Sequence, residues 1–98
     1  MAIKSKGEYT AFELVPGRQF EYEPASRRVV YNSRRLLNSE GKSVLLHEVA
    51  HALLRHRRVR TVERQERIEA EAWALAASLA EKLGLEDVRE NIASRLTE

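Results

Sequence analysis

The stretch LLHEVAHALLRH, residues 45–56, decides how the rest of this sequence is interpreted. In a helix with about 100° of rotation per residue, His51 lies about 40° and Glu48 about 100° around the axis from His47. The apolar side chains lie on the opposite side, between about 140° and 240° from His47: Leu45, Val49, Ala52 and Leu53. The two histidines therefore face away from the apolar stripe, as core histidines would not.

This spacing suits a zinc site that performs chemistry. Imidazoles at positions i and i+4 can bind one zinc ion, and H-E-x-x-H on a helix places its glutamate beside that ion. From there Glu48 can take a proton from a zinc-bound water and pass it to a leaving amine. The alternative is a solvated face of an amphipathic helix. Zinc is favoured by the motif, although other divalent metals also fit His and Glu ligands.

A catalytic zinc ion usually has a third protein ligand, and RIEAEAWALAASLA, residues 67–80, offers two candidates. As a helix, this segment has an apolar face with Glu71 at one margin and Glu69 near the other. A short connection predicts that the two helices pack antiparallel, so that either glutamate could approach the histidines. The alternative for each is an exposed helical charge. His56 falls in the apolar stripe of the first helix and is predicted to be a core or helix-end histidine rather than a ligand.

Outward from these helices, the sequence predicts an α+β fold. Segments 9–15, 18–23 and 27–32 are β-prone and separated by the turn signals Pro16-Gly17 and PAS, which suggests a three-stranded antiparallel meander. Ser39 is a possible N-cap for a helix from about residue 40 to 57. A second helix is predicted over 62–83, closed by Gly84 with Leu85 making an apolar contact. A short third helix is predicted over 86–96.

Composition indicates one small domain without disulfides. The chain has 98 residues, no cysteine and a net charge of +2, so a metal here would need His, Asp, Glu or water as ligands. No apolar run is long enough to span a membrane, and no convincing signal peptide is present, so we expect a soluble, cytoplasmic protein. We divide the domain, 1–98, into a sheet region (1–38), a zinc-binding helix pair (39–84) and a C-terminal helix (85–98).

HEVAHALLRH followed by EAEAWALA resembles the gluzincin metallopeptidases, most closely the ImmA/IrrE-type group and the minigluzincins, which are very small members of the same clan. The resemblance is strong over residues 43–80. It implies a zinc-dependent endopeptidase that acts on a peptide or protein substrate, with His47, His51 and Glu71 as metal ligands and Glu48 as the catalytic base. Glu69 is the alternative third ligand.

The resemblance also raises expectations about the rest of the site. The chain lacks an obvious residue to stabilise an oxyanion; Tyr31 is a candidate, with packing on the sheet as the alternative. RRVVYN, residues 27–32, is the strand expected nearest the site, where a substrate could add as a further strand. Because minigluzincins resemble latent zymogens, the segment after Gly84 is a possible lid over the cleft.

Two other functions compete with the endopeptidase. One is a zinc-stabilised binding module without catalysis, which the intact Glu48 argues against. The other is a nucleic-acid-binding protein that uses the basic cluster RHRRVR, residues 55–60. Nucleic acid is the less favoured partner, because cations at a helix C-terminus are stabilised by the helix dipole and no reading motif is present. The oligomeric state cannot be inferred from the sequence.

Overall fold

Three short strands precede three helices in the computed structural model of the chain, which describes residues 12–57 and 59–96. This order confirms the predicted α+β class. The elements are β1 (Glu13–Pro16), β2 (Glu21–Glu23), β3 (Arg28–Tyr31), a 3-10 helix (Ser33–Leu37), α1 (Ser39–Leu53), α2 (Val62–Lys82) and α3 (Glu86–Leu96).

The strands form a mixed sheet, so the predicted antiparallel meander is wrong. The strand order is β1-β3-β2, with β1 parallel and β2 antiparallel to the central β3. The Pro16-Gly17 step does not reverse the chain onto β2. Instead the Gly17 N–H donates to the Tyr31 carbonyl at 2.8 Å, which extends the parallel ladder before the chain crosses to the far edge of β3. Residues 9–11 of the predicted first strand lie outside the described residues.

Helix α1 begins one residue before the predicted start and ends four residues before the predicted end. Its N-cap is Asn38 rather than Ser39, and the Asn38 side chain accepts from the Gly41 N–H at 2.8 Å. Gly41 is needed because a Cβ at this position would overlap the carbonyl of Arg35 on the 3-10 helix. The helix therefore starts tightly against the end of the sheet region.

Helices α2 and α3 match the prediction closely. Thr61 caps α2, accepting from the Arg64 N–H at 3.3 Å. At its other end Gly84 has φ 72°, and Leu85 packs against the helical core as expected. None of the helices in the described part of the chain is long and apolar enough to cross a membrane.

Two hydrophobic clusters fix α1 between the sheet and the other helices. On the sheet side, Phe12, Val29 and Ala52 are buried, with Leu45 and Val49 packed against them. On the helical side lies a second cluster of small residues and two larger ones: Ala50, Ala72, Ala76, Ala80, Val88 and Ile92. Alanines at these positions let the helix axes approach closely, which brings polar groups on facing helices within reach of one another.

Candidate metal centre

Helix α1 brings His47, Glu48 and His51 together in a group that could bind a metal ion. The histidines are only 6% and 8% exposed, so the alternative of a solvated His–Glu–His face is wrong. They lie on the side of α1 that faces α2, away from the residues that pack on the sheet. The separation between an apolar stripe and a histidine face, predicted from the wheel, is thus present, but α2 covers the histidine face.

Helix α2 contributes Glu69 to this group. The Oε1 atom of Glu69 lies 2.7 Å from His47 Nε2, and its Oε2 atom lies 3.2 Å from His51 Nε2. His47 also stacks on Trp73, with ring centroids 4.0 Å apart. Because His47 meets Trp73 while His51 meets Glu69, the two helices run antiparallel, as predicted.

Glu71, the third ligand that the resemblance implies, lies elsewhere. Its Oε1 atom contacts His56 Nε2 at 3.0 Å, and its side chain is 54% exposed. The structure therefore brings Glu69, the alternative of the sequence analysis, to the two histidines. Residues 69 and 71 project about 200° apart on a helix, so a single rotation of α2 cannot present both to the same point.

The donor atoms are spaced as one small cation requires. The Nε2 atoms of His47 and His51 lie 3.1 Å apart, and the Glu69 contacts are 2.7 and 3.2 Å. In a tetrahedral zinc site with bonds of about 2.0–2.1 Å, ligand atoms are separated by about 3.3 Å. The separations of 2.7–3.2 Å are slightly shorter than this, and two imidazoles and a carboxylate this close together could bind one metal ion.

Burial sets the protonation of this group. It lowers the pKa of His47 to about 4, with the neighbouring His51 adding to the effect. Burial likewise lowers the pKa of His51. Both imidazoles are consequently neutral at pH 7, which leaves a ring nitrogen lone pair free to bind a metal.

Glu48 is the third member of the group on α1 and is held by a backbone hydrogen bond from the sheet. Its Oε1 atom accepts the Tyr22 N–H at 2.9 Å, and its Oε2 atom lies 3.9 Å from His47 Nε2. Burial raises the pKa of Glu48 to about 7, although the Tyr22 hydrogen bond opposes this shift. A carboxyl group that titrates near neutrality can both accept and return a proton at physiological pH.

An open cleft of about 1010 Å³ leads to Glu48, His51 and Glu69. One wall is β2 and the following turn, and the other is formed by the residues after α1 and the first turns of α2. Because β3 is the central strand, the expectation that residues 27–32 provide the strand nearest the site is wrong. The adjacent edge strand is β2, and its tyrosine, Tyr22, lines the cleft, whereas Tyr31 does not.

Helix α3 does not cover this cleft. Val88 and Ile92 are fully buried in the helical core, and within residues 12–57 and 59–96 the cleft is lined by no residue of α3. The C-terminal helix packs as part of the domain, with the Arg95 guanidinium 4.8 Å from the centre of the Trp73 ring that stacks on His47. Its role as a lid stays a prediction.

His56 follows the end of α1 with partners for both ring nitrogens, as predicted for a helix-end histidine, but its contact with His51 was not predicted. Since α1 ends at Leu53, the wheel position calculated for His56 does not apply, and its ring turns toward His51 rather than into the apolar stripe. The Nδ1 atoms of His56 and His51 lie 2.9 Å apart. The sequence carried no clear signal for this contact, because the apolar pattern of residues 45–56 continues past the helix end and Arg55, not a glycine, makes the reversal.

The chain matches no protein-family model, no curated protein and no solved structure. Its function is therefore argued from the chemistry of the site.

Proposed function

We propose that this protein is a zinc-dependent endopeptidase of the gluzincin type, in which His47, His51 and Glu69 bind the metal and Glu48 is the general base. The observation that supports this best is the convergence of two neutral imidazoles and a carboxylate from a facing helix, with a further buried carboxyl group beside them at an open cleft. A bound zinc ion would lower the pKa of a water molecule to about 7 and polarise a carbonyl oxygen.

Glu48 performs the proton transfers in this proposal. The Tyr22 N–H fixes one carboxylate oxygen at 2.9 Å, so the other oxygen is directed toward the metal ligands. The carboxylate accepts a proton from the attacking water and returns it to the amine of the cleaved peptide bond. A purely structural metal would not need a buried, ionisable group here, and this favours a peptidase over a zinc-stabilised binding module.

The substrate would lie in the cleft between β2 and the start of α2. Simple addition of a peptide strand to β2 is restricted, because the outward-facing Tyr22 N–H already donates to Glu48. The cleft also carries charges of both signs, from Glu21 and Glu23 on one wall and Arg57 on the other. These groups would select among peptides by their charge.

The basic cluster at 55–60 gives little support to nucleic-acid binding. His56 is turned toward the candidate metal centre, and Arg55 and Arg57 line a small cavity of about 130 Å³ beside it. Arg55, His56 and Arg57 therefore border the proposed active site, which argues against a separate flat surface for phosphate contacts.

The test is cleavage of a mixture of fluorogenic peptides by zinc-loaded protein, with Glu48→Gln compared against the parent. Glutamine keeps the size and the hydrogen-bond acceptor but cannot accept the proton, so activity should fall by about 10²-fold or more while zinc stays bound. Glu66→Gln, an exposed change on α2 outside the cleft lining, is the matched control. A Glu48→Gln protein that cleaves at the parental rate would show that the base has been misassigned. Bound zinc with no cleavage by the parent would support the binding module.

A further inference from the structure

The two long helices end in the same way, but with different residues. At the end of α2, the Leu85 N–H donates to the Ala80 carbonyl at 2.9 Å, with Gly84 in the left-handed region. This is the Schellman arrangement, and it commonly includes an apolar contact from the residue after the glycine. Leu85 makes that contact with the helical core.

At the end of α1, Arg55 and His56 take the places of glycine and leucine. The His56 N–H donates to the His51 carbonyl at 3.1 Å, and the Arg55 N–H donates to the Ala52 carbonyl at 3.2 Å. Arg55 has φ 56°, a conformation that a residue with a Cβ adopts infrequently. The cap therefore carries the His56 side chain back over the last turn of α1.

The contact made by this cap is between two imidazoles. The ring centroids of His51 and His56 are 5.1 Å apart at an interplanar angle of 68°, and their Nδ1 atoms are 2.9 Å apart. On its other side, His56 Nε2 lies 3.0 Å from a carboxylate oxygen of Glu71. The side chains of His51 and His56 are only 10% and 12% exposed, so the contact between the two rings is shielded from water.

Metal binding through His51 Nε2 would fix the direction of both hydrogen bonds that link His51, His56 and Glu71. If Nε2 of His51 keeps its lone pair for the metal, the ring proton lies on Nδ1 and donates to Nδ1 of His56. His56 then carries its proton on Nε2 and donates it to Glu71. A carboxylate at the end of such a chain makes the first imidazole a better ligand, because it stabilises the tautomer that binds.

We infer that His56 and Glu71 are positioning residues that hold His51 in its metal-binding orientation and tautomer. The inference rests on the proposed metal site. It gives Glu71 a role beside the metal ligands, although the resemblance implied that Glu71 is a ligand itself. It also means that His47 and His51 are held in place differently. Among the described residues the buried Nδ1 atom of His47 has no hydrogen-bond partner. The ring of His47 is held by its stacking on Trp73 instead.

The first experiment is the zinc dissociation constant, measured by competition with a chromophoric chelator. Loss of an outer hydrogen-bond partner typically weakens metal binding about 10- to 100-fold, and we expect this range for His56→Leu, which keeps an apolar contact but no acceptor. His56→Asn should retain affinity within about threefold of the parent, because its Oδ1 can replace Nδ1 as the acceptor. The zinc affinity of Glu71→Gln should fall between those of these two variants, and Glu66→Gln, an exposed change on α2, should leave the affinity unchanged.

The second experiment is ¹⁵N nuclear magnetic resonance of the imidazole rings in the zinc-loaded chain. We expect His51 to carry its proton on Nδ1 in the parent and in His56→Asn, with a hydrogen-bonded Nδ1 shift that is lost in His56→Leu. A merely structural role for His56 would alter stability without changing this signal.

The outcomes separate the inference from its premise. A parent chain that binds no zinc would overturn both the proposed function and the role of His56. A parent that binds zinc tightly, together with folded His56→Leu and Glu71→Gln variants of equal affinity, would overturn the positioning role alone. If His56→Leu does not fold, Glu71→Gln and the His51 shift still decide the question.

Discussion

Replacing Glu48 with glutamine is expected to stabilise the metal-free protein at alkaline pH while abolishing peptidase activity. Burial raises the pKa of this carboxyl group from 4.5 to about 7, so the folded chain binds the proton more tightly than the unfolded chain does. Protonated Glu48 therefore contributes to the free energy of unfolding. This contribution is fully present below pH 4.5 and is lost as the pH rises through 7. At pH 8 the parent should therefore be destabilised by about 3 kcal/mol, taking about 1.4 kcal/mol for each tenfold change in proton affinity.

Glutamine removes this penalty and can still accept the Tyr22 N–H. We expect Glu48→Gln to raise the melting temperature at pH 8 by about 10 °C or more, since about 1 kcal/mol corresponds to about 4–8 °C in a domain of this size. Most of the gain should be absent at pH 4.5. The titration of other groups is common to both proteins and cancels in the comparison.

The assay is thermal unfolding followed by circular dichroism, after removal of metal with a chelator, at pH 4.5 and pH 8. Glu66→Gln is the matched control, because Glu66 is exposed on α2 outside the cleft lining and its replacement should change stability by less than about 0.5 kcal/mol. Equal melting temperatures for Glu48→Gln and the parent at pH 8 would refute the argument that Glu48 is held in a desolvated position.

The remaining predictions concern the fold and its dependence on pH and metal. Gly41→Ala should cost more than about 2 kcal/mol in chemical denaturation, because the added methyl group would overlap the Arg35 carbonyl. Ile92→Ala should cost about 2–5 kcal/mol of unfolding free energy, since Ile92 is fully buried. Truncation after Gly84 removes this residue and the rest of α3, so it should unfold the domain; a folded, more active product would instead support the interpretation of this segment as a lid. His47, whose pKa is lowered to about 4, binds a proton less readily in the folded chain; in the Glu48→Gln background, which lacks the opposing titration of Glu48, the metal-free protein should lose about 3 kcal/mol as the pH falls from 6.5 to 4. Calorimetry should show a higher melting temperature with saturating zinc than with a chelator.

Local signals in the sequence were sufficient to predict the helices and the histidine pair. The period of the apolar residues located α1 and α2, and the Gly84-Leu85 step located the end of α2 within one residue. These features depend on a few neighbouring residues. The i, i+4 spacing of His47 and His51 likewise determines their common face, whatever the rest of the chain does.

Features that depend on contacts distant in sequence were predicted less well. The order of the strands depends on whether Gly17 pairs with β3 or turns back on β2, and a Pro-Gly step is compatible with both. The choice between Glu69 and Glu71 depends on the rotation of α2 about its axis. Because α2 packs against both α1 and α3, its buried alanines point between them, and the margin nearest the histidines carries Glu69. A helical-wheel projection that considers only α1 and α2 cannot decide which of the two glutamates faces the histidines.

The end of α1 shows a third limit. The apolar pattern continues to His56, and no glycine marks the reversal, since Arg55 adopts the left-handed conformation in its place. The sequence therefore predicted a helix four residues too long and placed His56 on the wrong side. Of the two predicted settings for His56, core or helix end, the structure shows the helix end, where its ring contacts His51.

The central claim is that His47, His51 and Glu69 bind one metal ion, and anomalous diffraction at the zinc absorption edge from crystals of the zinc-loaded protein tests it most directly. We predict a single strong peak within about 2.2 Å of the Nε2 atoms of both histidines and of one carboxylate oxygen of Glu69, with Glu71 still paired to His56. A peak bound by Glu71 instead of Glu69, or no peak beside the histidines, would contradict the account.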